Sequence, residues 1–299
     1  MADTHTLPEP EIPENYSSRS RYKGCLEQFD AAVCEACAVS QAVSGQNVFP
    51  SLGYATHVFV RILAHARNLL RSVPKNRWRS SDHDDWDFGA NAGGFRSILE
   101  ASLLFYYLCD ADPGKENQRA IVQLMHLYDL TKRLNVVHGG IADEETEKAR
   151  AEIIGRLEQT QRFKELPEKV KKDALKGGKL MFETKEDIMA RKGWDKSYFY
   201  LLWNITSQHA HVQSLAFYRM EPNGRGTGLE NPYDRGFLAL GLETCAEVLV
   251  GITDALCQHF PDATVVRKGT DSKFSPGPAR NLPKETKRAQ RRKRKPARR

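Results

Sequence analysis

Apolar residues recur every three or four positions along most of the chain, which is the spacing of one face of an α-helix. The segment from Tyr54 to Val73 shows this pattern clearly, and Pro74 predicts its end. Its apolar stripe consists of Phe59, Ile62, Ala66, Leu69 and Val73. The spacing therefore predicts an amphipathic helix with one buried face.

Similar stripes predict seven helices in all. They lie at about residues 22–42, 54–73, 95–108, 121–138, 143–162, 195–216 and 233–259. The third is apolar on more than one side, which favours a place at the centre of a bundle, whereas the fifth is highly charged and is expected outside. Because no segment alternates apolar and polar residues for long, the predicted fold class is all-α, a bundle of about seven helices with disordered termini.

Composition divides the chain into three parts. The 299 residues are 40% hydrophobic and 28% charged, which is typical of a globular protein. The first 18 residues instead combine three prolines with acidic residues and no apolar period. We therefore predict a disordered arm at 1–20, a helical-bundle domain at 21–265 and a disordered basic tail at 266–299.

The formal net charge of +7 belongs to the tail. Residues 279–299 hold eleven Lys or Arg and one acid, a net charge of +10, which leaves 34 basic and 37 acidic residues and a net charge of −3 for the rest. Such a tail is expected to bind nucleic acid without sequence preference, although a targeting signal or a solubilising extension stays open. The residues predicted to bind are Lys287, Arg288, Arg291, Arg292, Lys293, Arg294 and Lys295.

Six scattered cysteines do not form the dense framework of a secreted scaffold, so reduced thiols are expected. Cys34 and Cys37 are spaced as in a redox or zinc motif, but without a second pair core packing explains them better. There is no signal-peptide pattern and no run of 18 apolar residues. We predict a cytoplasmic protein without a membrane partner.

Arg96 and Glu100 lie four residues apart on the most apolar helix, where their side chains emerge on the same side. Charges on a buried helix must be paired or hydrogen-bonded to persist there. The pair is therefore a candidate catalytic site inside the bundle, and a structural polar network is the alternative.

The sequence SQHAH supplies two more candidates. His209 falls on the apolar stripe of its helix, whereas His211 shares another face with Asn204 and Ser207. A spacing of two puts the two imidazoles on different sides of a helix, so they do not form a ready metal site. For His209 we weigh catalysis against the alternative of a hydrogen-bonded core histidine.

A third candidate is the sequence RLNVVH, with four residues between Arg133 and His138. A guanidinium can hold a phosphate while an imidazole moves a proton during RNA cleavage by the neighbouring 2′-hydroxyl. The alternative is that His138 only complements the helix dipole before Gly139. This chemistry needs no metal, and we expect no cofactor. The acidic run DHDDWD would suit a divalent cation, but its place before a helix N-terminus explains most of it.

The segments FRSILEASLLFYYL and YFYLLWNITSQHAHVQS resemble a family of uncharacterised bacterial helical proteins. In that family an Arg-x-x-x-Glu helix and a Tyr/Ser/His helix recur. The likeness spans about residues 50–220 and supplies a fold without a reaction. It points to Arg96, Glu100, Tyr200, Ser207 and either His209 or His211.

The RLNVVH motif also resembles the Arg-x4-6-His motif of HEPN ribonucleases, helical proteins of toxin and antiviral systems. It departs from them in having Leu134 after the arginine and a glycine pair at the helix end. This resemblance implies an active site at a homodimer interface. The leading hypothesis is an intracellular helical protein that acts on or near nucleic acid through its basic tail. Metal-independent RNA cleavage by an endoribonuclease, in a defence or toxin system, is the candidate activity. The alternative is a non-catalytic interaction or scaffold protein with the same tail.

Overall fold

The computed structural model describes residues 16–79, 83–137, 139–218, 220 and 224–274. Eleven α-helices, α1 to α11, and one 3₁₀ helix form the regular structure of these residues, which contain no β-strand. The helices are α1 (Arg19–Ala42), α2 (Pro50–Ser72), α3 (Phe88–Cys109), α4 (Lys115–Val137), α5 (Glu144–Glu158), α6 (Gln161–Lys164), α7 (Glu168–Leu175), α8 (Lys185–Arg191), α9 (Lys196–Ala210), α10 (Ser214–Phe217), α11 (Pro232–His259) and the 3₁₀ helix (Pro261–Val266). The predicted all-α class is confirmed.

The helix count differs from the predicted seven because four helices have only four to eight residues. The charged segment predicted as one helix is broken at Thr160, whose hydroxyl caps α6. Helix α8 was not predicted, and α10 follows a break at Val212 in the segment assigned to one helix. Helices this short present too few apolar positions to produce a periodic signal.

Helix α3 lies at the centre of the bundle, as its two-sided apolar pattern predicted. It packs against α2, α9 and α11, while α1 packs against α11 and α2. The largest side chains that are fully buried come from α1, α2 and α3. They are Phe29, Phe59, Phe88, Phe95, Phe105, Ile62, Leu69, Leu70, Ile98, Leu99, Leu103 and Leu108.

Side-chain caps set several helix starts. Asp195 accepts a hydrogen bond from the amide of Tyr198 and thereby caps α9. Ser18 caps α1 in the same way, and α1 therefore begins at Arg19, earlier than the predicted position near Tyr22. Asp87 accepts from two amides in the first turn of α3, which gives one acid of the DHDDWD run a structural role.

The described first part of the predicted tail, residues 266–274, contacts the helical body. Glu35 of α1 accepts hydrogen bonds from the Arg267 side chain at 2.9 Å and from the Gly269 amide at 2.8 Å. Phe274 stacks on Trp78 with ring centroids 5.6 Å apart. These contacts hold residues 267–274 against the body. Residues 1–15 and 275–299, which carry most of the predicted arm and tail, lie outside the described residues.

Helix α11 is the one described helix long and apolar enough to cross a membrane by length and composition. However, 67% of its most apolar stretch is buried within the fold, as in the core helix of a bundle. Its contact with α3 is close because Gly241 has no side chain. A Cβ atom there would lie 2.7 Å from the ring of Phe95.

We expect Gly241→Ala to lower the free energy of unfolding by about 1–3 kcal/mol, because the added methyl group must displace a buried ring. Urea denaturation measures this change. Gly24→Ala is the matched control, since a Cβ at this α1 position meets nothing within 4 Å. The control should raise stability by about 0.5–1 kcal/mol through helix propensity. Equal effects from both variants would contradict the close α3–α11 contact.

Candidate functional site

His209 lies in the last turn of α9 and is 6% exposed. Its Nδ1 is 2.9 Å from the carbonyl oxygen of Ile205, which can only accept, so Nδ1 carries the proton and donates. Nε2 then accepts a hydrogen bond from the guanidinium of Arg225 at 3.1 Å. The imidazole also meets the ring of Phe88 edge-on, with ring centroids 5.0 Å apart.

Arg225 continues this chain of contacts to α11. Its Nε donates to Oδ1 of Asp234 at 3.1 Å, and the two side chains are 9% and 1% exposed. Asn231, the cap of α11, donates to the other carboxylate oxygen at 2.8 Å. A buried ion pair is tolerated only when its remaining groups are hydrogen-bonded, and that condition is met here. We call His209, Arg225, Asn231 and Asp234 the buried polar network.

This geometry decides which form of His209 is stable. Burial lowers the pKa of His209 below its usual value, and the nearby Arg225 charge lowers it further, while Asp234 and Asp87 act in the opposite direction. The neutral imidazole is therefore the folded form. Both ring nitrogens are already bonded within the protein, which favours the core-histidine alternative over catalysis. The same hydrogen bonds tie three chain segments together.

Arg96 and Glu100 take part in a different cluster. The Arg96 guanidinium lies 3.4 Å from the centroid of the Trp203 ring and donates to the Trp203 carbonyl oxygen at 3.1 Å and to Glu100 at 3.1 Å. Lys185 of α8 also lies over this indole, 3.9 Å from its centroid. Partial burial lowers the pKa of Lys185, and the neighbouring Glu100 charge opposes that shift. These contacts attach α3 to α8 and α9.

The prediction that Arg96 and Glu100 form a pair inside the bundle is only half right. The Arg96 side chain is 19% exposed, but that of Glu100 is 48% exposed. Glu100 lies at the edge of the α3–α9 contact, where water reaches the carboxylate. The pair and His209 also have different partners, so the described contacts separate them into two clusters instead of joining them in one pocket.

The predicted supporting residues on α9 do not gather around either cluster. The Tyr200 hydroxyl donates to Glu186 of α8, and Asn204 is exposed. Ser207 is half-buried, and its carbonyl oxygen accepts from the amide of His211. His211 itself is exposed at the end of α9. The two histidines thus lie in different environments, as their spacing predicted.

The third candidate is described only in part. Arg133 lies near the end of α4, where it forms a 2.9 Å ion pair with Asp129, and both side chains are more than 60% exposed. His138 and the seven predicted tail residues lie outside the described part of the chain. The guanidinium is therefore on the surface, held by one solvent-exposed partner.

The cysteines and the acidic residues singled out in the sequence have structural surroundings. All six cysteines are free and buried. Burial is the main reason why the pKa of the Cys34 thiol is raised to about 12. Asp84 binds Lys75 at 2.7 Å. Within the described residues no group of three or more His, Cys, Asp or Glu side chains is placed to hold a metal ion.

No protein-family model, curated protein or solved structure matches this chain. The likeness to uncharacterised bacterial helical proteins and the looser likeness to HEPN ribonucleases stay predictions.

Sequence reasoning found only His209 and missed the other three members of the buried polar network. Arg225 lies in the turn-rich segment PNGRGTG, where an arginine gives no sign of burial. The start of α11 did carry a signal, since Asn231, Pro232 and Asp234 form a typical helix N-terminus. That pattern predicts a cap, but it does not predict that the carboxylate also binds a guanidinium from the preceding loop.

We expect the free energy of unfolding to fall as the pH drops below about 6.5, because the unfolded chain then binds a proton that folded His209 does not. The full contribution is present above that pH, and one such proton gives a slope approaching about 1.4 kcal/mol per pH unit. Urea denaturation from pH 5 to 8 measures it, with His209→Gln removing this part of the slope.

His211→Gln is the matched control, since His211 is exposed two residues away on the same helix. It should leave the pH dependence as in the unaltered protein. A His209→Gln variant with the same acid slope as the unaltered chain would show that His209 is protonated in the fold.

Proposed function

We propose that this chain is a non-catalytic nucleic-acid-binding protein, in which the basic tail captures the polyanion and the helical body serves as an interaction scaffold. The separation of charge along the chain carries this proposal. Residues 279–299 have a net charge of +10, while the rest of the chain has a net charge of −3. Binding to phosphates is dominated by cationic side chains, so the tail is the part suited to that task.

The contacts of the body support a scaffold over an enzyme. The candidate groups that pack against the bundle have partners within the protein, since His209 binds Arg225 and Arg96 stacks on Trp203 and pairs with Glu100. Catalytic groups are expected in a cleft with a free acid, base or nucleophile. The buried polar network instead joins α9, the following loop and α11.

We expect replacement of the seven predicted tail residues by Gln to weaken binding of a single-stranded RNA at least 100-fold at low salt. Each phosphate that a cation no longer neutralises reduces the slope of log affinity against log salt by about 0.7, so seven removed cations reduce it by up to about 5. Fluorescence anisotropy over a salt series measures both quantities. The replaced residues are Lys287, Arg288, Arg291, Arg292, Lys293, Arg294 and Lys295.

The control replaces exposed lysines of the body by Gln, namely Lys148, Lys164, Lys169 and Lys172. This variant should bind RNA nearly as the unaltered chain does. If its affinity falls as far as that of the tail variant, the body and not the tail captures nucleic acid.

A second candidate function is metal-independent RNA cleavage by Arg133 and His138. The exposure of Arg133 favours it, because a guanidinium in a surface pair within one helix can exchange its carboxylate for a phosphate at little cost. Two apolar side chains near this end of α4, Val136 and Ile141, are 82% and 79% exposed. Exposed apolar residues beside a charged site suit a homodimer interface, as the HEPN likeness implies.

In this second function, RNA incubated with the protein in EDTA would be cleaved, with the 2′-oxygen attacking phosphorus and the 5′-oxygen leaving to give 2′,3′-cyclic phosphate ends. We expect Arg133→Ala and His138→Ala each to lower the rate at least 100-fold. His211→Ala is the control and should keep full activity. Gel analysis of end-labelled RNA measures the rates. Intact RNA with the unaltered chain would remove this function and leave the tail-based proposal standing.

A further inference from the structure

A cleft of about 630 Å³ lies between one face of α1 and the loop that joins α2 to α3. This volume falls within the range of sites that bind small molecules in proteins. The cleft is separate from the buried polar network and from the Arg96 cluster, none of whose members line it. None of the functional proposals above uses it.

The floor of the cleft is apolar and partly aromatic. Tyr22 and Leu26 of α1, Leu70 of α2 and Trp86 of the loop form it, with the rings of Tyr22 and Trp86 4.8 Å apart. The Tyr22 hydroxyl donates to the carbonyl oxygen of Pro74 at 2.7 Å, so its polar atom is satisfied within the protein. The floor therefore presents an apolar surface to the cleft, which suits the apolar body of a ligand.

The rim carries four exposed cations. The side chains of Arg19, Lys23, Lys75 and Arg77 are 79%, 76%, 67% and 56% exposed. Although each is near a carboxylate, an ammonium or guanidinium has several donors and one ion pair does not use them all. The rim can therefore donate further hydrogen bonds.

Two of the three carboxylates in the lining are withdrawn from the cleft. Asp30 is 9% exposed and accepts from Arg77 and from the indole of Trp78. Glu230 is 23% exposed and held by two arginines. Only Glu27 is as exposed as the cations, at 67%. Asp84, the partner of Lys75, is 25% exposed, so the charges of the rim balance, but in each of the four ion pairs the cation is the more exposed member.

The backbone holds one of these cations in place at the rim. Lys75 has a φ angle of 59°, a conformation that residues other than Gly, Asn and Asp seldom adopt. Asp84 stabilises this conformation by accepting from the Lys75 amide at 3.0 Å and from its ammonium at 2.7 Å. A residue kept in a costly conformation at the edge of a cleft is typical of ligand sites.

We propose that this cleft binds a small amphipathic carboxylate, with its apolar body on Tyr22, Leu26 and Trp86 and its head group between Lys23 and Lys75. Charge complementarity with the rim selects an anion over a cation of the same size. The apolar floor selects a ligand with a hydrocarbon or aromatic body over a free inorganic anion. This proposal is independent of nucleic-acid binding and of RNA cleavage.

Isothermal titration of the full chain with decanoate and with decyltrimethylammonium, at 0.15 M salt, tests the proposal, since the two probes share an alkyl chain and differ in charge. We expect one decanoate per chain, bound at least tenfold more tightly than the cation. Lys23→Glu should weaken decanoate binding at least fivefold. Lys148→Glu, a reversal at an exposed position of α5, should leave it unchanged.

Lys75→Gly provides a second variant that keeps the test decisive, because it removes the ammonium and also relieves the positive φ angle. It should fold and bind decanoate more weakly. Equal affinity for the two probes, several decanoate molecules per chain, or unchanged decanoate binding in both Lys23→Glu and Lys75→Gly would each overturn the proposal.

Discussion

The packing of α11 against α3 is the contact on which the rest of the structure depends. Gly241 lets the backbone of α11 lie against the ring of Phe95, so the two helices approach more closely than side chains on both would allow. Helix α3 also packs against α2 and α9, and α11 also packs against α1. One close helix pair therefore sets the positions of the three other long helices that surround it. It also brings the start of α11 beside the start of α3, where the Phe88 amide lies 3.4 Å from Asp234.

Two clusters of charged side chains stabilise the packing of the helices in different ways. The side chains of Arg225 and Asp234 are 9% and 1% exposed, and each has further hydrogen-bond partners that offset part of the cost of removing it from water. The Arg96 side chain is 19% exposed, and its partners are the face of an indole, one backbone carbonyl and the partly exposed Glu100. Both arrangements join segments distant in the chain. Their described contacts explain how α8, α9 and the loop before α11 are held on the central helices.

Much of the fold was predictable because long amphipathic helices leave a periodic trace. The positions of α2, α3 and α11 follow from apolar spacing, and His209 was correctly placed on the buried stripe of α9. The helices of four to eight residues were missed because they bury too few side chains to be periodic. The candidate site was predictable only in part. The burial of Arg225 depends on a loop conformation, and loops carry no such repeat.

The amino-acid sequence by itself determined the helical class, the central place of the third long segment and the separation of a basic tail from a slightly acidic body. These properties depend on local spacing and on composition, which do not require knowledge of distant contacts. Only the tertiary structure decided which polar groups meet. The sequence assigned His209 no single partner, and packing placed Arg225, from the loop before α11, against its Nε2. The cleft beside α1 arises in the same way, since its floor combines residues from α1, α2 and a loop.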